Sequence, residues 1–559
     1  MKLRSVAIQN FRGIKDLTVE LDDTTVLIGE NNTGKTAVLD AIRICLTKVR
    51  SSRGFAFSTY DLHLDGATAE PSTAAPISLT LTFRENQENE WAAADLRKLK
   101  SVVVDHDDRY QVTLQVTAQY ADTTSEYMQE VRFLDGDGNP LQAPGSAVAA
   151  FQDRIRCYYL AALRDAGTHF GAKGQFWRPF LKDASLPAEK KKEIEELLEQ
   201  VNKEVVGSHQ SFKKAVARLQ SVQDVLPLGS GDVVSVEAVP ARMFDMLSRA
   251  QINLGGSTGA RIPVHRHGEG TQSLSVLMLF RAFIEAWPEG HPLVALEEPE
   301  AHLHPSAVRA LWSLVGDLPG QKLVTTHSGD LLSEVPASAL RRLHRGADGI
   351  EVRRLKPTTL NPTQTQKFDF HVRQYRGELL FARCWLLVEG ETEMTLLPEL
   401  ARALGLSFEK AGVRCVQYRQ ADIDLFIKVA DDFGISWCVM PDDDAQGKKD
   451  QKKVRDNLNG RTESDVLFVP PHEDIERVLC SGGFEHVYEA RTSAQKQISS
   501  PITAAKGTPA YWNQMLKVME RGYKPAAAQQ VATEIHGGAT VPPFLESVIR
   551  AAIDLAEAN

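Results

Sequence analysis

Hydrophobic and polar positions along this 559-residue chain change period several times, and each change marks an element. Near the start, SVAIQNF has strand character, LTVEL alternates, and TTVLIG is an apolar run of the kind carried by a strand buried on both faces. ENNTGKT interrupts that run before AVLDAIRICL, whose apolar positions recur at helical spacing. From Ile77 to Phe133 the segments ISLTLTF, SVVVD, YQVTLQVTAQY and QEVRFL predict antiparallel strands with one wet face. Between Leu186 and Gln223 the chain turns highly charged, with Leu and Val at helical spacing. That pattern predicts amphipathic helices, either simply solvated or serving as a dimerisation arm. The stretch from Pro357 to Arg383 reads as a connector, after which CWLLVEG opens a new α/β pattern. The expected organisation is therefore two modules, residues 1–380 and 381–559, with a helical insert at about 165–235.

Composition narrows the class without naming a chemistry. The chain is 43% hydrophobic and 25% charged, which is ordinary for a globular protein of several domains. Six scattered cysteines with no CxxC pair fit a reducing cytosol better than a disulfide framework. No long apolar run suggests export or membrane spanning, so a cytoplasmic protein without membrane contact is expected. With 64 Lys plus Arg against 73 Asp plus Glu, the formal charge of -9 gives no overall sign of a polyanion partner.

Local chemistry is more specific. Gly29-Glu30-Asn31-Asn32-Thr33-Gly34-Lys35-Thr36 matches GxxxxGK[ST] between a strand and a helix. In such a loop backbone N–H groups surround the phosphates, the lysine reaches the β- and γ-oxygens, and the threonine hydroxyl faces Mg²⁺. A metal-side carboxylate is supplied by LVALEEPEAHLHP, where Glu297 suits the Mg²⁺ shell and Glu298 suits polarising a water. KLVTTHS then ends a further strand with His327, placed to sense a γ-phosphate. Between these motifs, Gly268, Gly270 and Ser273 lie at the start of an apolar helix, a setting that favours anions.

The second half gathers acids instead. Glu389 follows an apolar strand, Glu393 lies one helical turn on, and Asp442 and Asp444 end another strand in PDDDAQG. Carboxylates at strand ends suit hard divalent cations and two-metal phosphodiester chemistry. A third cluster, Glu473-Asp474-Ile475-Glu476, follows DVLFVP, which reads as a strand. The basic run from Gly447 to Arg455 is either a solvated helix face or a rail for DNA phosphates.

The order of P-loop, glycine-rich helix start, acid pair and histidine resembles the ABC-type ATPase head of the RecF/SMC-like branch, where the first strand often reads like IQNFRGI at Ile8 to Ile14. That resemblance implies that Gly268, Gly270 and Ser273 belong to a signature loop completing the nucleotide site of an opposite head, although LSGGQ itself is absent. ATP between two heads makes a homodimer or higher homo-oligomer. EGxxE followed by DxDxxG resembles the Toprim pattern, and the whole order resembles the OLD (overcoming lysogenization defect) nucleases, including the Gabija-type subunit. The implied fold is an α/β ABC-type head with an inserted helical dimerisation arm, followed by a Toprim domain.

The resemblance further implies one metal on Glu389 and Asp442, a second on Glu393, Asp474 and Glu476, and Asp444 beside either ion. It also implies a lysine near the C-terminus that neutralises charge developing on the phosphorane. Lys524, read as preceding the helix PAAAQQVATEI, and Lys506 are the two candidates. The function implied is an ATP-binding, Mg²⁺- or Mn²⁺-dependent DNA endonuclease in defence against phage, with a UvrD-like helicase as partner. A topoisomerase-like strand-transfer enzyme and a non-nucleolytic RecF-like clamp are the competing readings. The charge argument also changes scale, since cations bound at the acid clusters would offset part of the overall acidity.

Overall fold

The computed structural model describes residues 1–47, 57–66, 69–121, 126–161, 187–211, 213–214, 217, 238–240, 253–255, 261–286, 290–346, 349–374, 377–419 and 421–559. The chain divides into two compact units. One comprises Met1–Tyr159, Gly290–Glu297 and Gly320–Asn559, and the other Leu160–Glu289 and Glu298–Pro319.

In the first unit, strands β1 (Leu3–Phe11), β2 (Ile14–Glu20), β3 (Thr24–Gly29), β4 (Ile77–Arg84), β5 (Val104–Asp105), β6 (Tyr110–Ala121) and β7 (Glu126–Leu134) come first. All but β3 build an antiparallel sheet of order β2-β1-β4-β6-β5, with β7 also on β6. Its alternation is clearest in β4, where Ile77, Leu79, Leu81 and Phe83 are buried and the intervening Ser78, Thr80, Thr82 and Arg84 are half-buried. SVVVD contributes only Val104–Asp105 to this sheet, because the residues before them close the turn after the helix Ala93–Lys98.

A second sheet runs β14-β13-β3-β12-β11-β8, with β8 Ile155–Ala161, β11 His291–Glu297, β12 Gln321–Thr325, β13 Leu340–Gly346 and β14 Gly349–Arg353. Strands β11, β12, β3 and β13 are mutually parallel, so the P-loop, the acid pair and His327 all follow strands on one edge. Helix α1 (Lys35–Leu46) buries Val38, Ala41 and Ile42 in a core that also takes Leu27, Leu79 and Leu323, joining the two sheets. This is the P-loop head architecture expected from the motifs.

The same unit ends in a parallel sheet of order β16-β15-β17, from β15 Cys384–Val388, β16 Val413–Gln417 and β17 Ser436–Met440. Its core includes Leu386, Val388, Leu396, Met440 and Val531. Because β15 is central and the chain crosses from one side of it to the other, a crevice opens at the carboxyl ends of β15 and β17. Two sequence expectations change here. DVLFVP is not a strand: Glu463–Val466 is a helical turn, and Leu467 makes one bridge to Val439. The Pro357–Arg383 connector contains a helix, Pro362–Gln374, which buries Phe368, His371 and Val372 at helical spacing.

The second unit holds the two-stranded sheet of β9 (Asn253–Gly255) and β10 (Arg261–Pro263) and the helices Ala188–Ser208, Glu269–Ala286 and Pro305–Gly316. The 21-residue helix Ala188–Ser208 is the described part of the charged arm; most of the 165–235 insert lies outside the described residues. Among the described residues no helix is long and apolar enough to cross a membrane.

Candidate functional site

The P-loop is shaped by backbone geometry that only its sequence tolerates. Gly29 has φ 150°, and a Cβ there would lie 2.2 Å from the carbonyl oxygen of Leu343. Gly34 has φ 88° and stands immediately before α1, while Asn32 takes a left-handed φ of 64°. Lys35 is buried, and its ammonium donates to the carbonyls of Gly29 at 2.9 Å and Glu30 at 2.7 Å. Thr33 donates to the Glu30 carbonyl at 2.8 Å, and Asn31 is exposed on the loop.

The Thr36 hydroxyl donates to Glu297 Oε1 at 2.5 Å. The other carboxylate oxygen accepts from Tyr159 at 2.6 Å, a partner that sequence reasoning missed because it lies 138 residues away. Glu298 follows with φ 44°, left-handed backbone that is costly for a non-glycine residue and typical of functional turns. His327 is exposed at the end of β12 and stacks on Phe381, with ring centroids 6.5 Å apart and planes at 24°.

The glycine-rich motif opens the helix Glu269–Ala286. Gly268 precedes the helix Glu269–Ala286, and among the described residues no atom lies within 4 Å of where its Cβ would stand. A Cβ at Gly270 would lie 3.4 Å from the His302 carbonyl oxygen. Ser273 is buried, and its hydroxyl donates to the carbonyl of Glu269, the first residue of the helix, at 3.0 Å.

In the Toprim region a cavity of about 330 Å³ is lined by Glu389, Glu393, Arg419, Asp442 and Lys524, among others. Glu389 is buried directly after β15, and its Oε2 has no hydrogen-bond partner among the described residues. Arg419 Nη1 is 3.9 Å from Glu389 Oε1. Glu393 accepts from the Gly390 N–H at 3.1 Å, which orients it at the helix start. Glu476 is 2% exposed, and its Oε1 lies 2.7 Å from Lys524 Nζ. Lys524 sits inside the first turn of the helix Tyr523–His536 rather than before it, and Pro525 is accommodated there because that turn needs no N–H from it.

Burial and like charge dominate the electrostatics. Asp442 is pushed up to about 8, first by burial and then by Glu389, Glu393, Asp474 and Glu476. Burial raises Glu393 to about 7. Glu389 is raised by burial and then by Asp444. Among the described residues no three His, Cys, Asp or Glu side chains form a ready-made metal-ligand group.

The remaining acids hold local structure as well. Asp444 Oδ1 accepts from the N–H groups of Gln446 at 2.9 Å and Gly447 at 2.7 Å. Asp474 caps the helix Ile475–Leu479 through the Arg477 N–H at 2.9 Å and also pairs with the Arg477 guanidinium. Lys506 pairs with Glu489 at the surface, at 2.5 Å. In the basic run, Lys453 pairs with Asp422 at 3.0 Å.

Comparison with known proteins follows this layout. The family described as "Protein of unknown function (DUF2813)" matches residues 1–378, and "Overcoming lysogenization defect protein-like, TOPRIM domain" matches residues 380–444. The chain is 28% identical to the uncharacterized protein YbjD of Escherichia coli (strain K12), with 100% of this chain and 99% of that protein aligned. It is 23% identical to endonuclease GajA of Bacillus cereus (strain VD045), over 85% of this chain and 82% of that one. It is also 23% identical to the OLD nuclease of Thermus scotoductus (strain ATCC 700910 / SA-01), over 94% and 97%. With a P-loop head through residue 378 and an acid-lined parallel sheet directly after it, the chain belongs to the DUF2813 family and carries the TOPRIM domain of the OLD-like proteins.

Proposed function

We propose that the chain is a divalent-metal-dependent DNA endonuclease whose Toprim site hydrolyses phosphodiesters under the control of an ATP-binding head. The observation that carries this reading is that Glu389, Glu393, Asp442 and Lys524 line one cavity at the carboxyl ends of parallel strands. The names of the relatives, endonuclease GajA and OLD nuclease, support it.

The donor set is all oxygen, which suits Mg²⁺ or Mn²⁺, and the buried, unpartnered Oε2 of Glu389 suits a cation better than solvent. Glu389 and Asp442 would hold one ion, and Glu393, Asp474 and Glu476 a second, with Asp444 beside either. Two ions held there would supply Lewis-acid stabilisation of the attacking and leaving oxygens. Lys524 adds a fixed positive charge for the phosphorane, and Glu476 holds that ammonium in place. Arg419 gives the Glu389 side of the cavity a cation that can take a backbone phosphate.

In the head, Lys35 and the N–H groups of Gly29 to Thr36 would hold the triphosphate of ATP, with Thr36 and Glu297 on the Mg²⁺ side. Glu298 is the candidate base and His327 the γ-phosphate sensor. The same reading divides the chain into an ATPase module, residues 1–380, and a nuclease module, residues 381–559. It takes the 165–235 arm as a dimer contact and Gly268, Gly270 and Ser273 as completing a partner head's site in a homodimer or larger homo-oligomer. Defence against phage in the cytoplasm, with a UvrD-like helicase as partner, completes the proposal on family resemblance.

The test is cleavage of supercoiled and linear DNA with and without Mg²⁺, Mn²⁺ and ATP, comparing wild type, Glu389→Ala and Lys35→Ala. Metal-dependent scission lost in Glu389→Ala is expected. Equal cutting by Glu389→Ala would overturn the site, ATP-dependent DNA binding without scission would favour a clamp, and a covalent tyrosyl–DNA product would favour strand transfer.

A further inference from the structure

We propose that Tyr159 is a positioning residue of the nucleotide site, fixing the metal-side carboxylate of Glu297 in the orientation that an Mg²⁺-nucleotide requires. The inference rests on the reading of the head as an ATP site and adds to it a residue that neither the motifs nor the family matches single out.

Glu297 ends β11 at the surface of the parallel sheet, where a glutamate with three rotatable bonds has many orientations to choose from. Two hydroxyls remove that freedom. Thr36, the last residue of the P-loop motif, donates to Oε1 at 2.5 Å, and Tyr159, on the edge strand β8, donates to Oε2 at 2.6 Å. Thr36 alone would leave the carboxylate free to swing about that one contact. With both oxygens held, its plane is defined and Oε1 is kept on the Thr36 side.

Tyr159 is itself fixed from the P-loop side. The Arg43 guanidinium carbon lies 5.0 Å from the centroid of the Tyr159 ring, and Arg43 is paired with Asp40 at 2.7 Å. Asp40 in turn pairs with Arg12 at 2.6 Å, so the phenol stands on a network carried by the helix that the P-loop opens. A hydroxyl donating to an ionised carboxylate is among the stronger hydrogen bonds a protein makes.

The experiment uses the full chain and the variant Tyr159→Phe, which keeps the ring over Arg43 and deletes only the donor. Binding of a fluorescent ATP analogue is measured first in EDTA and then across a MgCl2 titration, with thermal denaturation as a control for folding. The expected result is unchanged affinity in EDTA, within about twofold, and a roughly tenfold rise in the Mg²⁺ concentration that half-saturates the metal-linked gain, the scale of one lost charged hydrogen bond. An unshifted Mg²⁺ titration overturns the proposal. Equal weakening in EDTA and in Mg²⁺ also overturns it, by marking Tyr159 as a packing residue. Failure of the ATP-site reading itself looks different: wild type and Lys35→Ala would then bind the analogue equally poorly.

Discussion

Glu30 in the P-loop and Arg383 at the threshold of the first Toprim strand form a bidentate ion pair, Nε to Oε1 at 2.6 Å and Nη2 to Oε2 at 2.8 Å. The Arg383 guanidinium holds the Glu30 carboxyl below its usual range. Arg383 is anchored through its backbone: its N–H donates to the Gly412 carbonyl at 2.8 Å, and its carbonyl accepts from Ser436 at 2.9 Å. From there β15 runs fully buried to Glu389. A half-exposed pair of this kind contributes only about 0.2–1 kcal/mol to stability, so its consequence is geometric. Arg383→Ala is expected to leave stability nearly unchanged and to shrink several-fold whatever effect ATP has on DNA cleavage. The exchange Glu30→Arg with Arg383→Glu should restore part of that effect, as read by cleavage rates with and without ATP.

The two lysine candidates separate on geometry. Lys524 faces Glu476 at 2.7 Å and lines the acid cavity, whereas Lys506 is held at the surface by Glu489. Lys524→Ala should lower the rate at saturating Mn²⁺ by roughly 10²–10³, the usual scale for deleting one transition-state electrostatic contact. Lys506→Ala should stay within about twofold of wild type.

Arg342 ties β13 to the Toprim backbone. It is buried and donates to the carbonyls of Phe433 at 3.0 Å, Gly434 at 3.1 Å and Ala382 at 3.0 Å. Truncation would leave the carbonyls of Phe433 and Ala382 short of a donor, each costing about 1–3 kcal/mol where water cannot replace it, while Gly434 keeps a hydrogen bond from Asn559 at 3.1 Å. Arg342→Ala should therefore destabilise the chain by about 3 kcal/mol or more in urea denaturation, far beyond the cost of Arg383→Ala.

What could be read from the sequence was whatever a short local pattern forces. The GxxxxGKT loop is legible because Gly29 and Gly34 need backbone that few residues adopt, and Glu389 because a carboxylate directly after five buried residues is chemically conspicuous. Tyr159, Arg342, Arg383 and Arg419 were not legible. Each acts on a partner distant in the chain or from a loop, and no periodicity marks a contact spanning 138 or 353 residues. DVLFVP misled because its apolar residues serve a helical turn and one bridge, and Pro357 to Arg383 because its prolines and threonines mask a helix buried on a single stripe.

On the reading of the acid cavity as a metal site, metal binding and stability should depend on pH in a defined direction. Asp442 is raised to about 8 and Glu393 to about 7, chiefly by burial. In the unfolded chain both return to roughly 4, so between about pH 4 and 8 the metal-free folded state binds more protons than the unfolded state. These groups therefore contribute stability that is fully present below about pH 4 and is lost as pH rises through 7 and 8. Divalent ions need the ionised carboxylates, so binding must expel those protons, and affinity should rise with pH until about 8. Calorimetry of Mn²⁺ binding at pH 7 in buffers of different ionisation enthalpy should detect proton release. The increase in Tm on adding Mn²⁺ should be larger at pH 8.5 than at pH 6.5. Asp442→Asn removes the most strongly raised acid, so the metal-free variant should melt above wild type at pH 8.5, lose most of the Mn²⁺-linked gain and fail to cut DNA. A Tm for Asp442→Asn at or below that of wild type at pH 8.5 would show that Asp442 carries no such electrostatic cost.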